Sequence, residues 1–222
     1  MLDNPVWNAL TTRHAGFALG DGRVKRYPAD VAPFLATAGT EAVVDDESAD
    51  LATPGETLYM MAAAPTPPPG WEVDRRVLLR QMVCGRRVGA PAAGEDCIVL
   101  GRADAADMLE LTALAFPGFF RPRTIEMGTY FGVRREGELV AMAGQRLFLD
   151  GHREVSGVCT HPDHRGRGLA RRLILRVVAE ILDQGLTPFL HVGSDNDGAR
   201  ATYEKLGFVV RRDLSLLLVR RV

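Results

Sequence analysis

The sequence predicts an α/β protein in which helices flank a mixed, largely antiparallel and twisted sheet. Three β-prone runs within residues 129–160 are separated by short turn sequences, which predicts an antiparallel meander. Residues 168–183 follow with apolar side chains at helical spacing and with Gly185 as a stop, which predicts an amphipathic helix. The remaining elements are a strand at 189–192, a helix at 197–206 and strands at 208–210 and 214–219.

Earlier parts of the chain give shorter elements. Cys97 to Leu100 is a β-prone run, and Asp104 can cap a helix that ends before Phe116-Pro-Gly. Four prolines within residues 62–70 require a loop or a stiff connector. The elements predicted around it are a hairpin at Asp21-Gly22, a short helix at 30–38, a strand at 57–61 and one or two strands at 71–83.

Residues 84–95 are rich in Gly, Pro and Ala and form the predicted boundary between two units. We therefore expect an N-terminal lobe at 1–95 and a second domain at 96–222. A chain of 222 residues with 46% hydrophobic residues can bury one large core or two modest ones, so composition does not choose between them.

Charge and composition exclude several function classes. The 27 Lys and Arg and 28 Asp and Glu give a net charge of −1, which supplies no global attraction to nucleic acid or an anionic membrane. No apolar run reaches the roughly 18 residues that cross a bilayer, and no signal peptide is apparent, so a cytoplasmic protein is expected. The three cysteines are widely spaced, and His161 and His164 lack a third ligand nearby, so we expect neither a disulfide framework nor a metal.

The strongest local signal lies in residues 155–170, where a strand runs through a glycine-rich turn into the amphipathic helix. Free N–H groups at a helix start and the helix dipole attract anions, and glycines let a phosphate approach the main chain. Arg165 and Arg167 add positive charge. A P-loop is excluded because no Lys-Ser or Lys-Thr follows the glycines. An ordinary strand-to-helix turn that needs glycine for its geometry remains the alternative.

The sequence Arg165-Gly-Arg-Gly-Leu-Ala170 resembles the Arg-x-x-Gly-x-Gly/Ala signature of the GNAT superfamily of acyltransferases. A second segment, Asn196-x-x-Ala-x-x-x-Tyr203-Glu-Lys-Leu-Gly-Phe208, is similar to the family's second cofactor segment. The resemblance covers residues 96–222. It implies an N-acetyltransferase that transfers an acetyl (acyl) group from acetyl-CoA to an amine by direct attack in a ternary complex. A non-catalytic CoA-binding sensor or interaction module with the same fold is the alternative.

The resemblance also implies a cofactor site, in a V-shaped opening between the strands that hold Thr160 and His191. The main chain of the strand end would pair with the pantetheine arm, the loop would bind the pyrophosphate, and Asn196 would bind the cofactor, cap a helix, or do both. The residues assigned to the cofactor in this way are Val158, Cys159, Thr160, Arg165, Gly166, Arg167, Gly168, Leu169, Ala170 and Asn196.

Acyl transfer to an amine sets requirements of its own. A lysine-like amine has a pKa of about 10.4, so holding it neutral at pH 7 costs roughly 4 to 5 kcal/mol, which a base or a water chain must offset. The resemblance assigns Tyr203 as the acid that protonates the departing thiolate and Glu154 as a candidate general base. Packing of Tyr203 on its helix and a merely solvated Glu154 are the structural alternatives. Glu126 is a weaker rival for the base.

The acceptor is harder to predict, because loops shape it. We expect a small-molecule or peptide amine, with residues 1–95 as a degenerate GNAT-like half or a separate cap that shapes the acceptor pocket or an oligomer interface. A homo-oligomer is left open. Arg121 and Arg123 are either contacts for an anionic end of the acceptor or surface charge. His191 is predicted to be structural, and Cys159 to line the core or the cofactor site.

Overall fold

The computed structural model of the protein describes residues 1–20, 22–39, 49–85, 97–115 and 117–222. Asp21 of the predicted hairpin turn and the predicted boundary between residues 95 and 96 lie outside these ranges. The division into two units therefore stays a prediction. None of the helices in the described ranges is long and apolar enough to cross a bilayer.

Helices and strands follow one another along the described ranges. The helices are α1 (Pro5–Thr11), α2 (Ala105–Ala115), α3 (Leu169–Asp183) and α4 (Asp197–Lys205). The strands are β1 (Val24–Arg26), β2 (Leu35–Thr37), β3 (Thr57–Ala62), β4 (Trp71–Cys84), β5 (Cys97–Leu100), β6 (Tyr130–Arg135), β7 (Glu138–Leu149), β8 (His152–Thr160), β9 (Thr187–Gly193) and β10 (Phe208–Arg221). Short 3₁₀ helices lie at Ala15–Phe17, Ala49–Leu51, Arg102–Asp104, Thr124–Met127 and Pro162–His164.

Eight strands form one sheet in the order β3-β10-β4-β9-β8-β7-β6-β5. Each neighbouring pair is antiparallel except β8 and β9, which are parallel. β1 and β2 pair separately. The predicted fold class, a mixed and mostly antiparallel sheet flanked by helices, is confirmed. Strands β3 and β4, from the first 95 residues, lie in the same sheet as β10.

Most elements predicted in the C-terminal part are confirmed. β6, β7 and β8 form the meander, and α3 and α4 occupy the predicted helical segments. The two strands predicted after residue 207 are one continuous strand, β10, with a register shift near its start. The predicted helix at 30–38 is wrong. Its residues Leu35–Thr37 form β2, because all three are buried and pairing with β1 overrides helix propensity.

The sheet is covered on both faces. Leu173, Val177 and Ile181 of α3 are fully buried against side chains of β7, β8 and β9. Val6 and Leu10 of α1 are fully buried in a second cluster that includes side chains of β3, β7 and β10. Burying each large aliphatic side chain contributes about 1.5 to 3 kcal/mol, so these contacts fix the positions of the central strands.

β8 and β9 separate after a short parallel contact. Their pairing covers His152–Glu154 on β8 against Thr187–Phe189 on β9. Beyond it, β9 pairs on its other side with β4, from Phe189 to Gly193. The later part of β8 therefore has a main-chain edge that faces β9 without pairing with it.

A bulge in β8 lies at the start of this gap. Ser156 and Cys159 pair with β7 residues only two positions apart, so β8 carries one extra residue there. Gly157 within the bulge has a φ of 63°, and a Cβ at this position would lie 2.9 Å from the ring of Tyr130. Glycine is required for both reasons, and the bulge bends β8 where the gap begins.

A second bulge lies in β7. Gln145 pairs with Val155 and Phe148 with Arg153, which leaves Arg146 and Leu147 opposite the single residue Glu154. Because of this extra residue, both the Arg146 side chain and the Leu147 N–H reach the carboxylate of Glu154. Regular pairing would place only one β7 residue opposite Glu154.

Candidate active site

A cavity of about 260 Å³ lies where β8 and β9 separate. The gap corresponds to the predicted opening between the strands that hold Thr160 and His191. The cavity is lined by residues from both halves of the sheet, from α4 and from two loops. They are Phe34, Met61, Leu79, Phe119, Arg146, Glu154, Val155, Ser156, Gly157, Val158, His191, Gly193, Tyr203 and Leu216.

Glu154 is the buried acidic residue of this cavity. Its side chain is 1% exposed and forms a double hydrogen bond with Arg146, in which Nε donates to Oε2 at 2.9 Å and Nη2 donates to Oε1 at 2.8 Å. The Leu147 N–H donates to Oε2 at 3.2 Å, and Nδ1 of His191 lies 2.8 Å from Oε1. Each carboxylate oxygen of Glu154 therefore has two hydrogen-bond partners.

These contacts set the protonation state of Glu154. Burial raises its pKa, but the charge of Arg146 and the hydrogen bonds from Arg146 and His191 lower it by more, so the pKa lies well below the usual range. A general base works best with a pKa near the operating pH and with a free lone pair. The base role of Glu154 stays a prediction that these contacts do not favour.

His191 is held from its other side by Gln81. The Gln81 amide group lies 3.0 Å from Nε2 of His191 and donates to the Leu2 carbonyl at 2.9 Å. The Oε1 of Gln81 accepts from Arg211 at 2.9 Å, which fixes the orientation of the amide. Since this NH₂ can only donate, Nε2 of His191 must accept, and Nδ1 carries the proton toward Glu154. Both ring nitrogens of His191 are thus engaged in hydrogen bonds.

Tyr203 reaches the cavity from α4. Its ring packs edge-on against Phe208 with the centroids 5.9 Å apart, so the predicted packing role is present. Burial raises the pKa of Tyr203 to about 12. The phenol is therefore protonated at neutral pH and lines the same cavity as Glu154 and His191, which leaves it able to donate a proton.

The glycine-rich loop leads directly from β8 to α3. Gly166 and Gly168 have φ values of 75° and 72°, and a Cβ at either position would meet no atom within 4 Å. Gly168 occupies the N-cap of the 15-residue helix and supplies no capping side chain. Arg165 and Arg167 are exposed beside it. The geometry leaves open space over a helix N-terminus with two cations near it, which suits a phosphate group.

Comparisons with known proteins agree with this arrangement. Residues 130–216 match the family described as FR47-like protein. The N-alpha-acetyltransferase RimI of Mycobacterium tuberculosis is 37% identical over 122 residues, which cover 49% of this chain and 75% of that protein. A protein of Novosphingobium aromaticivorans assigned to the GNAT acetyltransferases has a crystal structure that is 34% identical. It has a TM-score of 0.90 and covers 100% of this chain and 98% of that one.

The chain belongs to the GNAT acetyltransferase superfamily. It is therefore an acyltransferase, and the GNAT fold in general takes acetyl-CoA as co-substrate. The acetyltransferase SG1711 of Sodalis glossinidius is 42% identical over 77 residues, 33% of this chain and 52% of that protein. The chain spans only about half of this relative, so the acceptor of a relative is not assigned to this chain.

The predicted cofactor residues of this GNAT chain follow one another along the gap. Val158 and Thr160 are half-buried on β8 beyond its pairing with β9, and Leu169 and Ala170 form the first turn of α3. Asn196 caps α4, with Oδ1 accepting from the Ala199 N–H at 3.0 Å. The cap leaves the NH₂ group of Asn196 for another partner, so the two predicted roles are compatible.

Cys159 has the environment of a core residue. It is buried, and burial raises its pKa to about 12. The nucleophilic form of cysteine is the thiolate. A thiol with this pKa is a poor acyl acceptor, which supports the predicted lining role and opposes a covalent one.

Several other candidates lie outside the cavity. Glu126 is paired with Arg123, whose Nη2 lies 2.8 Å from Oε2, and with Arg102 at 3.2 Å. Arg123 also contacts Asp30 at 3.3 Å. Neither Arg123 nor Arg121 lines the cavity. Across the described residues, no group of three or more His, Cys, Asp or Glu side chains is placed to hold a metal.

Sequence reasoning missed part of this site. Arg146 and Gln81 carry no motif. Arg146 lies eight positions before Glu154 but reaches it through the bulge in β7, and Gln81 lies 110 positions from His191. Ser156 lies two positions after Glu154 on β8, and this alternation could have placed it on the same face. The walls formed by Phe34 and Met61 come from residues 1–95, for which the sequence predicted only a general role in shaping the acceptor pocket.

Proposed function

We propose that the protein is an N-acetyltransferase that transfers the acetyl group of acetyl-CoA to an amine by direct attack in a ternary complex. One observation carries this proposal. The separation of β8 and β9 opens a cavity whose β8 wall continues, through residues 161–168, into the glycine-rich start of α3. An anion site and an acyl-transfer cavity would therefore lie along one continuous strand-to-helix path.

The glycine loop would bind the pyrophosphate. The N–H groups of Arg167, Gly168, Leu169 and Ala170 are at or next to the first turn of α3, where the helix dipole favours negative charge. Gly166 and Gly168 fit this role because open space lies where their side chains would project. Arg165 would add positive charge to this site. Because its side chain is exposed, the guanidinium can move to contact a phosphate oxygen.

The later part of β8 would hold the pantetheine arm. Cys159 and Thr160 pair with β7 on one side only, Val158 precedes them within the bulge, and none of the three pairs with β9 across the gap. An extended amide-bearing chain can add to such an edge as a further strand does. A main-chain N–H at this edge would also stabilise the negative charge that develops on the carbonyl oxygen during attack.

Tyr203 would act as the general acid. In the reaction a C–N bond forms, the C–S bond breaks, the amine loses one proton and the departing sulfur gains one. A phenol with a pKa of about 12 is protonated before the reaction and can deliver that proton to the sulfur. The proton from the amine then returns the phenolate to its starting state through water.

Glu154 would position groups instead of accepting the proton of the amine. Its four hydrogen bonds hold Arg146, Leu147 and His191 around the cavity, and its low pKa makes it a weak base. We therefore place the removal of the amine proton on water in the cavity. Proton loss to water requires no titrating side chain on the protein.

Thermal shift with a matched pair of variants tests the cofactor site. Gly168 and Gly185 both have left-handed φ values, of 72° and 73°, and open space at the Cβ position, but they lie at opposite ends of α3. Gly168→Asp and Gly185→Asp introduce the same strain and the same charge. At about 100 times Kd, a ligand adds about 2.7 kcal/mol, which corresponds to a rise in Tm of about 5 to 10 °C.

We expect acetyl-CoA and CoA to raise the Tm of the wild type and of Gly185→Asp, and to leave that of Gly168→Asp unchanged. NAD should have no effect on any of the three. Loss of the shift in both variants would mean that general strain, and not the loop, explains it. If no CoA species shifts the wild type, the proposal fails. A shift without CoA release in the presence of any amine would support the non-catalytic CoA-binding alternative.

A further inference from the structure

The walls of the cavity are apolar over most of their area, and they come from parts of the chain far apart in sequence. Phe34 precedes β2, Met61 lies in β3, Leu79 in β4 and Leu216 in β10. Phe119 comes from the segment between α2 and β6 and stacks on Tyr59 with the ring centroids 4.5 Å apart. The aromatic and aliphatic side chains thus face the groups of β8 and β9 across the cavity.

The charged groups of the cavity neutralise one another. Among the described lining residues, the formally charged ones are Arg146 and Glu154, and they form a double hydrogen bond with each other. The guanidinium of Arg146 also lies over the ring of Phe34, 5.0 Å from its centroid. His191 is hydrogen-bonded on both ring nitrogens, to Glu154 and to Gln81. The described lining therefore offers no unpaired charge to a second ionic group of a ligand.

The size of the cavity limits the acceptor. The cavity of about 260 Å³ is walled by side chains and opens to solvent. The walled part suits one ring with a short chain, so the body of the acceptor that it encloses is small.

We infer that the acceptor is a small primary amine on an apolar, preferably aromatic, body that carries no second charge. The inference rests on the proposed function and names the substrate class of the same site. Phe34, Met61 and Phe119 enclose the body of the amine, and Ser156 and the β8 main chain face its nitrogen. Free amino acids and diamines are disfavoured, because each would bury a carboxylate or an ammonium group without a partner.

Three probes of similar size test the inference. The probes are 2-phenylethylamine, phenylalanine, which adds a carboxylate to the same body, and 1,6-diaminohexane, which carries a second ammonium. Release of the CoA thiol with acetyl-CoA gives kcat/KM for each. We expect 2-phenylethylamine to exceed the other two at least 100-fold. Equal or faster turnover of phenylalanine or the diamine would overturn the inference.

Two variants of one residue give a second readout that loss of folding does not imitate. Phe119 is half-buried, so both Ala and Asp can be accommodated at this position. Phe119→Ala should raise the KM for 2-phenylethylamine about tenfold and leave the KM for acetyl-CoA unchanged. Phe119→Asp should additionally raise kcat/KM for the diamine above its wild-type value, because the new carboxylate pairs with the second ammonium.

Separate results test the cofactor site and the choice of acceptor. If acetyl-CoA raises the Tm but none of the three amines is acetylated, the inference about the acceptor is wrong and the cofactor site stands. If acetyl-CoA has no effect on the Tm, the proposed function is wrong, and the inference falls with it. An unchanged KM for 2-phenylethylamine in Phe119→Ala would show that this wall does not contact the acceptor.

Discussion

Nδ1 of His191 and Oε1 of Glu154 lie 2.8 Å apart, across the point at which β8 and β9 separate. Glu154 is the last β8 residue that pairs with β9, whereas His191 lies two positions beyond its β9 partner, Phe189. The side chains therefore connect the two strands just where the main chain ceases to do so. Because both side chains are almost fully buried, we expect this contact to hold the start of the gap at a fixed width.

Glu154→Gln should strongly destabilise the protein. The variant leaves the Arg146 guanidinium buried without its counter-ion, and breaking a buried pair in this way costs about 3 to 5 kcal/mol. Urea unfolding followed by circular dichroism measures the free energy of unfolding. Asp213→Asn, which breaks the partly exposed pair between Arg80 and Asp213, is the control and should cost about 1 kcal/mol or less. Similar losses of unfolding free energy in the two variants would show that the buried pair of Glu154 and Arg146 contributes no more to stability than a partly exposed pair.

The contribution of Glu154 to stability should depend on pH. Its folded-state pKa lies well below the ordinary value of 4.5, so its stabilisation is complete above that value and is lost as the pH falls toward the folded-state pKa. The difference in unfolding free energy between wild type and Glu154→Gln should be constant from pH 6 to pH 8 and should shrink in acid. Urea titrations at a series of pH values measure it. A difference that grows on acidification would mean that the carboxylate is destabilised by burial.

Local sequence signals account for the elements that were predicted correctly. The meander is marked by turn residues, α3 by apolar side chains at helical spacing, and the loop at Gly166 and Gly168 by a short motif. Each signal is local in sequence and needs no knowledge of distant partners. The helix expected at 30–38 failed because its burial and its pairing with β1 are set by the tertiary structure.

The arrangement around Glu154 could not be predicted from the same kind of signal. Arg146 reaches it through a bulge in β7, and pairing registers are not visible in residue patterns. His191 lies 37 positions away, and Gln81 lies another 110 from His191. The sequence therefore pointed to Glu154 as a residue of interest, but it could not show that its lone pairs are already in use.

Replacing Tyr203 by phenylalanine should remove the proton donor and keep the cofactor site. General acid catalysis contributes about 10²- to 10⁴-fold, so kcat should fall by at least about 100-fold. The increase in Tm with acetyl-CoA should be unchanged, because the loop of Gly168 is intact. Tyr27→Phe is the control, since it removes a buried hydroxyl that bonds His14 at 2.8 Å outside the cavity. A wild-type kcat in Tyr203→Phe would remove Tyr203 from the mechanism.

The pH dependence of kcat/KM should follow the amine and not the protein. Glu154 has a pKa well below its usual range and Tyr203 has a pKa of about 12, so neither group should titrate between pH 6 and pH 9. Only the neutral amine can attack, so kcat/KM should rise tenfold per pH unit until the pH reaches the pKa of the amine. Profiles for 2-phenylethylamine and for a β-fluorinated analogue of lower pKa should therefore level off at different pH values, each near the pKa of its own amine. If both profiles level off at the same pH, a side chain of the protein accepts the proton, and the route through water is wrong.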